Sequence, residues 1–157
     1  MEFSAAGLEL LKRSEGFRSH VYLDVAGLPT IGYGHRLLHP DSFPNGMDEP
    51  QAAEILAADV RDAAAAVLRF VKVPLTQGQF DALVDFTFNL GWVRLSDSTL
   101  LKFLNIGHYE EAGEQILLWD RAGGKENAGL KARREAELAL WNTPETKSGT
   151  AGGKTDQ

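Results

Sequence analysis

The chain has 157 residues, 43% of them apolar and none of them cysteine, so one buried core is within reach and no disulfide supports it. A formal charge of −6 and an isoelectric point near 5.2 argue against nucleic acid as a partner. No run of about eighteen apolar residues exists to span a membrane, and Met1-Glu2-Phe3-Ser4 lacks the positive start of a signal peptide, so folding in the cytoplasm without membrane insertion is expected.

From the N-terminus, Ser4 to Ser14 is amphipathic, with Leu8 and Leu11 on one helical face, and Gly16 is a stop just after Glu15. From Phe17 the period becomes two: Phe17, Ser19, Val21 and Leu23 alternate against Arg18, His20, Tyr22 and Asp24, predicting a half-buried strand. Val25-Ala26-Gly27-Leu28-Pro29 reverses the chain, and Thr30 to Tyr33 pairs back as a second strand, which brings Thr30 near Asp24. Glu15 lies roughly 25 Å away by extended contour, so it meets that pair only if the helix end folds over the hairpin and leaves a cleft. Leu37 to Gly46, with Pro40 and Pro44, reads as an irregular loop.

Asp48-Glu49-Pro50-Gln51 then offers an N-cap, an early proline and a capping-box partner. The following Ala53, Leu56, Val60, Ala63, Val67 and Phe70 recur at three- and four-residue intervals as one long helix, ended by Pro74. Thr76-Gln77-Gly78-Gln79 is a second capping box, ahead of a helix apolar on nearly every side (Phe80, Leu83, Val84, Phe86, Phe88) and so central and buried. Shorter helices are expected over Ser98 to Leu104, Tyr109 to Trp119 and Leu130 to Trp141. Glu145 to Gln157 has no large apolar residue and reads as a disordered tail. The predicted fold class is α+β and mainly helical: a small lobe at about 14–50 with a β-hairpin sheet, a linking helix at about 49–70, and a larger helical lobe at about 71–143 that includes the N-terminal helix.

Acetal hydrolysis needs one carboxylic acid to protonate the leaving oxygen and an ionised carboxylate to direct water or attack. Glu15 and Asp24 supply two carboxyls, and Thr30 a hydroxyl that can hold the water. Burial would keep Glu15 protonated while Asp24, on a wetter turn, stays charged. The structural alternative makes Glu15 a helix-end carboxylate, Asp24 a turn former and Thr30 an ordinary strand residue.

The segment Ser14 to His35 resembles the catalytic segment of the phage-type lysozymes, or endolysins, of glycoside hydrolase family 24, whose pattern is Glu, eight residues, Asp or Cys, five residues, Thr. Glu15, Asp24 and Thr30 match it without insertion, and further matches follow in order. They are Phe88-Asn89-Leu90-Gly91, Ser98-Thr99-Leu100-Leu101, Leu104-Asn105-Ile106-Gly107, Trp119, Gly123-Gly124-Lys125 and the run Gly129 to Glu137. The similarity covers roughly residues 3 to 143. It implies a two-lobed lysozyme-like domain over 1–144 with substrate between the lobes, and a monomer that cleaves the β-1,4 bond between N-acetylmuramic acid and N-acetylglucosamine. It also implies that Glu15 is the general acid, that Asp24 and Thr30 act on water, and that a separate holin opens the route to the wall. The alternatives are a lytic transglycosylase acting on the same bond and a non-catalytic wall-binding module.

Gly32 and Gly34 flank Tyr33, where missing side-chain bulk lets either a sugar or a packed helix approach. Gly32, Tyr33, Asn89, Lys125 and Arg133 are the substrate-binding candidates, with Gly91 a further possible contact. A guanidinium beside Glu15 would orient it, and Arg133 is favoured over Arg134, which could instead form a surface helix pair with Glu137. His35 and His39 stand four apart but lack a third ligand, so neither metal nor cofactor is expected; the resemblance makes His35 structural. A locally basic cleft could still arise from Lys12, Arg13, Arg18, Lys125, Lys131, Arg133 and Arg134.

Overall fold

The computed structural model describes residues 1–145. The tail expected over 145–157 lies outside the described residues except for Glu145, whose Oε1 accepts the Gln77 amide at 2.9 Å. The elements are α1 (Ala5–Glu15), β1 (Arg18–Leu23), β2 (Pro29–Gly32), β3 (His35–Arg36), α2 (Glu49–Phe70), α3 (Gln77–Leu90), α4 (Trp92–Asp97), α5 (Thr99–Asn105), α6 (Tyr109–Ile116), β4 (Arg121–Ala122), β5 (Lys125–Glu126) and α7 (Ala128–Trp141). The fold is the mainly helical α+β type with a small sheet lobe, a linking helix and a larger helical lobe.

The helix starts follow from local chemistry. Ser4 Oγ accepts the Gly7 amide, Asp48 that of Gln51, Ser98 that of Leu101 and Asn127 that of Leu130, each satisfying an orphan N–H of the first turn. The Thr76–Gln79 capping box is complete in both directions. Asn105, the last residue of α5, ties that helix to the end of α2: its Nδ2 donates to the Phe70 carbonyl at 3.0 Å and its Oδ1 accepts the Lys72 amide at 2.7 Å.

Helix α3 is the axis of the larger lobe. Every residue from Phe80 to Thr87 is buried, and the helix packs on α7, α2, α1 and α4. Asp81 joins α1 to it by accepting both the amide and the hydroxyl of Ser4. Because α1 packs on α3 and α7, it belongs to the helical lobe while its last turn points at the sheet.

Strand β1 forms where the alternation placed it, but that alternation is not expressed as burial. Arg18, Ser19, His20 and Leu23 are exposed, and only Val21 and Tyr22 are partly covered. The sheet order is β1-β2-β3, antiparallel throughout, and it meets α2 through β2 and β3; β1 lies at the outer edge, where the Ser19 carbonyl accepts the Met47 amide at 2.8 Å. Strand β3, helix α4 and the β4–β5 hairpin were not anticipated; at six residues or fewer they are too short to display a period. Among the described residues no helix is long and apolar enough to cross a membrane.

Candidate active site

Glu15 closes α1. Gly16, at φ 71°, returns its N–H to the Lys12 carbonyl and turns the chain into β1. The Glu15 side chain is 16% exposed, and its Oε2 accepts from an Arg133 guanidinium nitrogen at 2.7 Å. Gly34, at φ 72°, approaches from the β2–β3 turn so closely that a Cβ there would collide with Glu15 Oε1. The last turn of α1, the sheet and α7 therefore converge on one carboxyl, which is the fold-back that a cleft requires.

Asp24 organises the β1–β2 turn. Its amide donates to the Leu28 carbonyl at 2.9 Å, and its Oδ1 accepts the amides of Ala26 at 2.8 Å and Leu28 at 2.9 Å. Its Oδ2 lies 3.3 Å from Arg36 Nε. The Leu28 amide, joined by that of Ala26 and by the Arg36 guanidinium, outweighs desolvation and holds the carboxyl below the ordinary aspartate range. Thr30, only 2% exposed, donates its hydroxyl to the Leu28 carbonyl at 2.9 Å and stands opposite Tyr22 in the ladder. Burial, then the neighbouring Glu15, pushes the Tyr22 phenol up, so it stays a neutral donor.

Glu15, Asp24 and Thr30 line one groove of ≈ 1090 Å³ between the lobes, floored by α2 and walled by α3, α7 and the sheet. Arg133, Asn89 and Gly91 line it too, whereas Gly32, Tyr33 and Lys125 do not. Gly32 is free of a side chain because α2 needs the space: a Cβ there would come 3.2 Å from both Ala52 Cβ and Met47 Sδ. Tyr33 is buried, its hydroxyl donates to Glu49 Oε2 at 2.8 Å and its ring packs on Phe17. Burial, reinforced by Glu49, raises its phenol as well. Lys125 is exposed on β5.

The groove is not basic. Lys12 reaches toward Glu49 at 3.8 Å and Arg134 is buried, while Lys125 and Lys131 lie outside the lining. Arg13, Arg18, Arg36 and Arg133 face Glu15, Asp24, Asp59 and Asp62 within it, so charge of both signs is interleaved. His35 uses Nδ1 on Asp59 Oδ2 at 2.7 Å, tying β3 to α2, and His39 is exposed on the loop.

The two arginines divide their work. Arg133 pairs with Glu15, whereas Arg134 turns inward to Glu137 at 2.7 Å and Asn89 at 2.9 Å. The Arg134–Glu137 pair is not on the surface as anticipated; both side chains are fully buried. Asp85 escaped notice in the sequence although Arg133 depends on it: Nε and a terminal nitrogen of Arg133 each donate to one Asp85 oxygen at 2.8 Å. Burial opposes the charge on Arg133, but Asp85 and Glu15 more than restore it. The available signal was a carboxylate inside the apolar run Phe80 to Phe88, since a charge in a buried helix requires a partner.

Comparison with known proteins places this geometry in context. A family model described as phage lysozyme matches residues 12–137. The endolysin of Bacillus phage B103 is 41% identical over 152 residues, covering 94% of this chain, and the chain spans 57% of that relative's length. The endolysin of Salmonella phage P22 is 39% identical over 144 residues, covering 90% of this chain and 98% of the relative. A solved endolysin from Escherichia coli O157:H7 phage FAHEc1 superposes with a TM-score of 0.80 at 38% identity, covering 90% of this chain and 94% of that one.

Proposed function

The chain belongs to the phage lysozyme family, and from that premise we propose that it hydrolyses peptidoglycan at the β-1,4 bond between N-acetylmuramic acid and N-acetylglucosamine, lysing bacterial cells. The observation that carries the reading is the convergence of Glu15, Asp24 and Thr30 on a single inter-lobe groove. Glu15 is the general acid. Arg133 occupies its Oε2, and no hydrogen bond among the described residues engages Oε1, which is left to meet the glycosidic oxygen.

Asp24 and Thr30 hold the attacking water. The Thr30 hydrogen is already given to Leu28, so its oxygen is left with lone pairs only for a ligand. Asp24, kept ionised by its turn, offers a second acceptor. A water that donates one hydrogen to each presents its own lone pair to the anomeric carbon, and Asp24 takes the proton as the bond forms. That is the inverting arrangement, which asks for roughly 6.5–9.5 Å between the two carboxyls. Arg133 fixes Glu15, Asn89 supports glycan binding, and the protein works as a monomer on glycan strands reached through a separate holin.

Glu15→Gln tests the reading on purified peptidoglycan. Loss of roughly 10²–10⁴-fold in turnover with the fold retained is expected for removal of a general acid. Unchanged turnover would return the protein to the class of wall-binding modules.

A further inference from the structure

The inter-lobe groove continues past Glu15, Asp24 and Thr30 to an aromatic ring that the reaction as described leaves unused. Trp92 lines the groove with 54% of its surface exposed, whereas Trp119 and Trp141 lie outside the lining. Trp141 is buried, and Trp119 is partly covered and packs edge-on against Phe86 at 5.6 Å. The place of Trp92 follows from the chain before it. Gly91, at φ 93°, ends α3 by returning its N–H to the Thr87 carbonyl and opens α4, whose first residue is Trp92. The indole then stacks on Phe70 in the last turn of α2, centroids 5.8 Å apart and planes 12° from parallel. Phe70 covers one face, so the exposure that remains belongs mainly to the other face and the edge. Single exposed aromatics are ordinary on a protein surface, but this one is braced by a second ring inside the groove. Asp59, Asp62, Ala63 and Ala66 line the groove from α2, and Phe70 continues that helix face by one more turn. From Asp59, where His35 ties the sheet to α2, to Phe70 is roughly 16 Å by helical rise, farther than one sugar ring reaches.

We propose that Trp92 is the platform of a distal saccharide subsite, stacking against a pyranose ring of the glycan strand beyond the two sugars joined by the cleaved bond. The inference deepens the peptidoglycan reading and rests on it. In a β-1,4-linked N-acetylhexosamine the ring substituents are equatorial, so the axial C–H bonds gather on the two faces and leave them apolar. Those hydrogens are the positive ends of their bonds and meet the negative face of the indole π system. Hydroxyl, acetamido and lactyl groups project from the rim, where the exposed carboxylate of Asp62 is an acceptor for a hydroxyl. A flat apolar contact with a few polar contacts at its edge is how a groove holds a sugar whose rim stays wet. The attraction needs no positive charge, so the net −6 of the chain does not oppose it. A ring far from the reacting atoms is held equally before and during bond cleavage, so the contact acts on KM and not on the chemical step.

The test compares Trp92→Leu with Trp92→Phe on a length series of soluble peptidoglycan glycan fragments. Both keep apolar cover on Phe70; only phenylalanine keeps a flat π face. Trp92→Leu should raise KM by an amount that grows with strand length and reaches roughly tenfold on long strands, with kcat within about twofold. Trp92→Phe should restore most of that affinity. An equal rise in the two variants, the same rise at every length, or a fall in kcat at unchanged KM would mean that Trp92 only clasps α4 to α2. Wild-type KM in Trp92→Leu would mean that it is a plain surface residue. Each of these results overturns the proposal.

Tryptophan emission reads the same contact without turnover, with long soluble glycan strands added to the Glu15→Gln protein so that they stay uncut. A saturable blue shift is expected as a sugar ring covers the indole, and it should vanish when Trp92→Phe is added, because neither remaining tryptophan lines the groove. An unchanged spectrum, or a shift that survives Trp92→Phe, would refute the platform. Full hydrolysis by Glu15→Gln alongside a shift that depends on Trp92 would fault the reading of Glu15 as general acid and not the subsite.

Discussion

Glu15 and Asp24 sit in the same groove but are gripped by different chemistry. Asp24 is surrounded by donors from its own turn and from Arg36, so its acidity is set by residues within twelve positions of it. Activity that depends on its ionised form should persist as pH falls until it passes below the ordinary aspartate value of about 3.9. A pH–rate profile whose acid limb lies above that value would show that another group governs it. Glu15 is oriented from 118 residues away by Arg133. Replacing Arg133 with Met should lower stability by about 3–5 kcal/mol, because the buried Asp85 carboxylate would lose its partner, and urea denaturation would measure the loss. Gly34→Ala is a different perturbation, forcing a Cβ into Glu15 at a positive φ. It should reduce turnover by roughly 10²-fold through misplacement of the acid, and near-normal turnover would mean that Glu15 has more freedom than its contacts indicate.

Helices α3 and α7 together carry the buried polar seam, and this seam gives the protein a stability that depends on pH. The folded Glu137 value lies above its unfolded one, so its stabilising contribution is complete below about pH 4.3 and declines as pH rises from there toward the folded value. Glu137→Gln removes that decline. Its stability relative to wild type, read from urea midpoints, should therefore increase as pH rises from about 4.5 toward the folded Glu137 value; a flat or shrinking difference would contradict a Glu137 raised by burial. The same two helices show where sequence reasoning succeeds and where it stops. Caps at Asp48 and Thr76 are local chemistry and were legible, as was the all-round apolar character of α3. The spacing of Glu15, Asp24 and Thr30 was legible through family resemblance. That Gly32 serves α2 and Gly34 serves Glu15, or that Asp85 clamps Arg133, depends on contacts between distant segments that no local pattern encodes. Strand β1 shows a converse failure: its alternation is real in the sequence, but as an edge strand it has little to bury against.

The whole molecule joins a small sheet lobe to a helical lobe by the 22-residue α2 and by the short α1–β1 turn at Gly16, with the groove between them. Its net charge of −6 is not offset by a basic cleft, since the groove interleaves charge of both signs. Capture of an anionic wall by long-range attraction is therefore not built in, and added salt should leave lysis unchanged or raise it by screening repulsion. A steep monotonic loss with ionic strength would contradict that. The central claim is one acid at Glu15 acting opposite a water held by Asp24 and Thr30, and proton NMR of the sugar first released from a defined peptidoglycan fragment tests it most directly. The predicted product is the muramic acid end with its anomeric configuration inverted to α; a β end, as from a covalent Asp24 intermediate, or a 1,6-anhydro end, as from a transglycosylase, would contradict it.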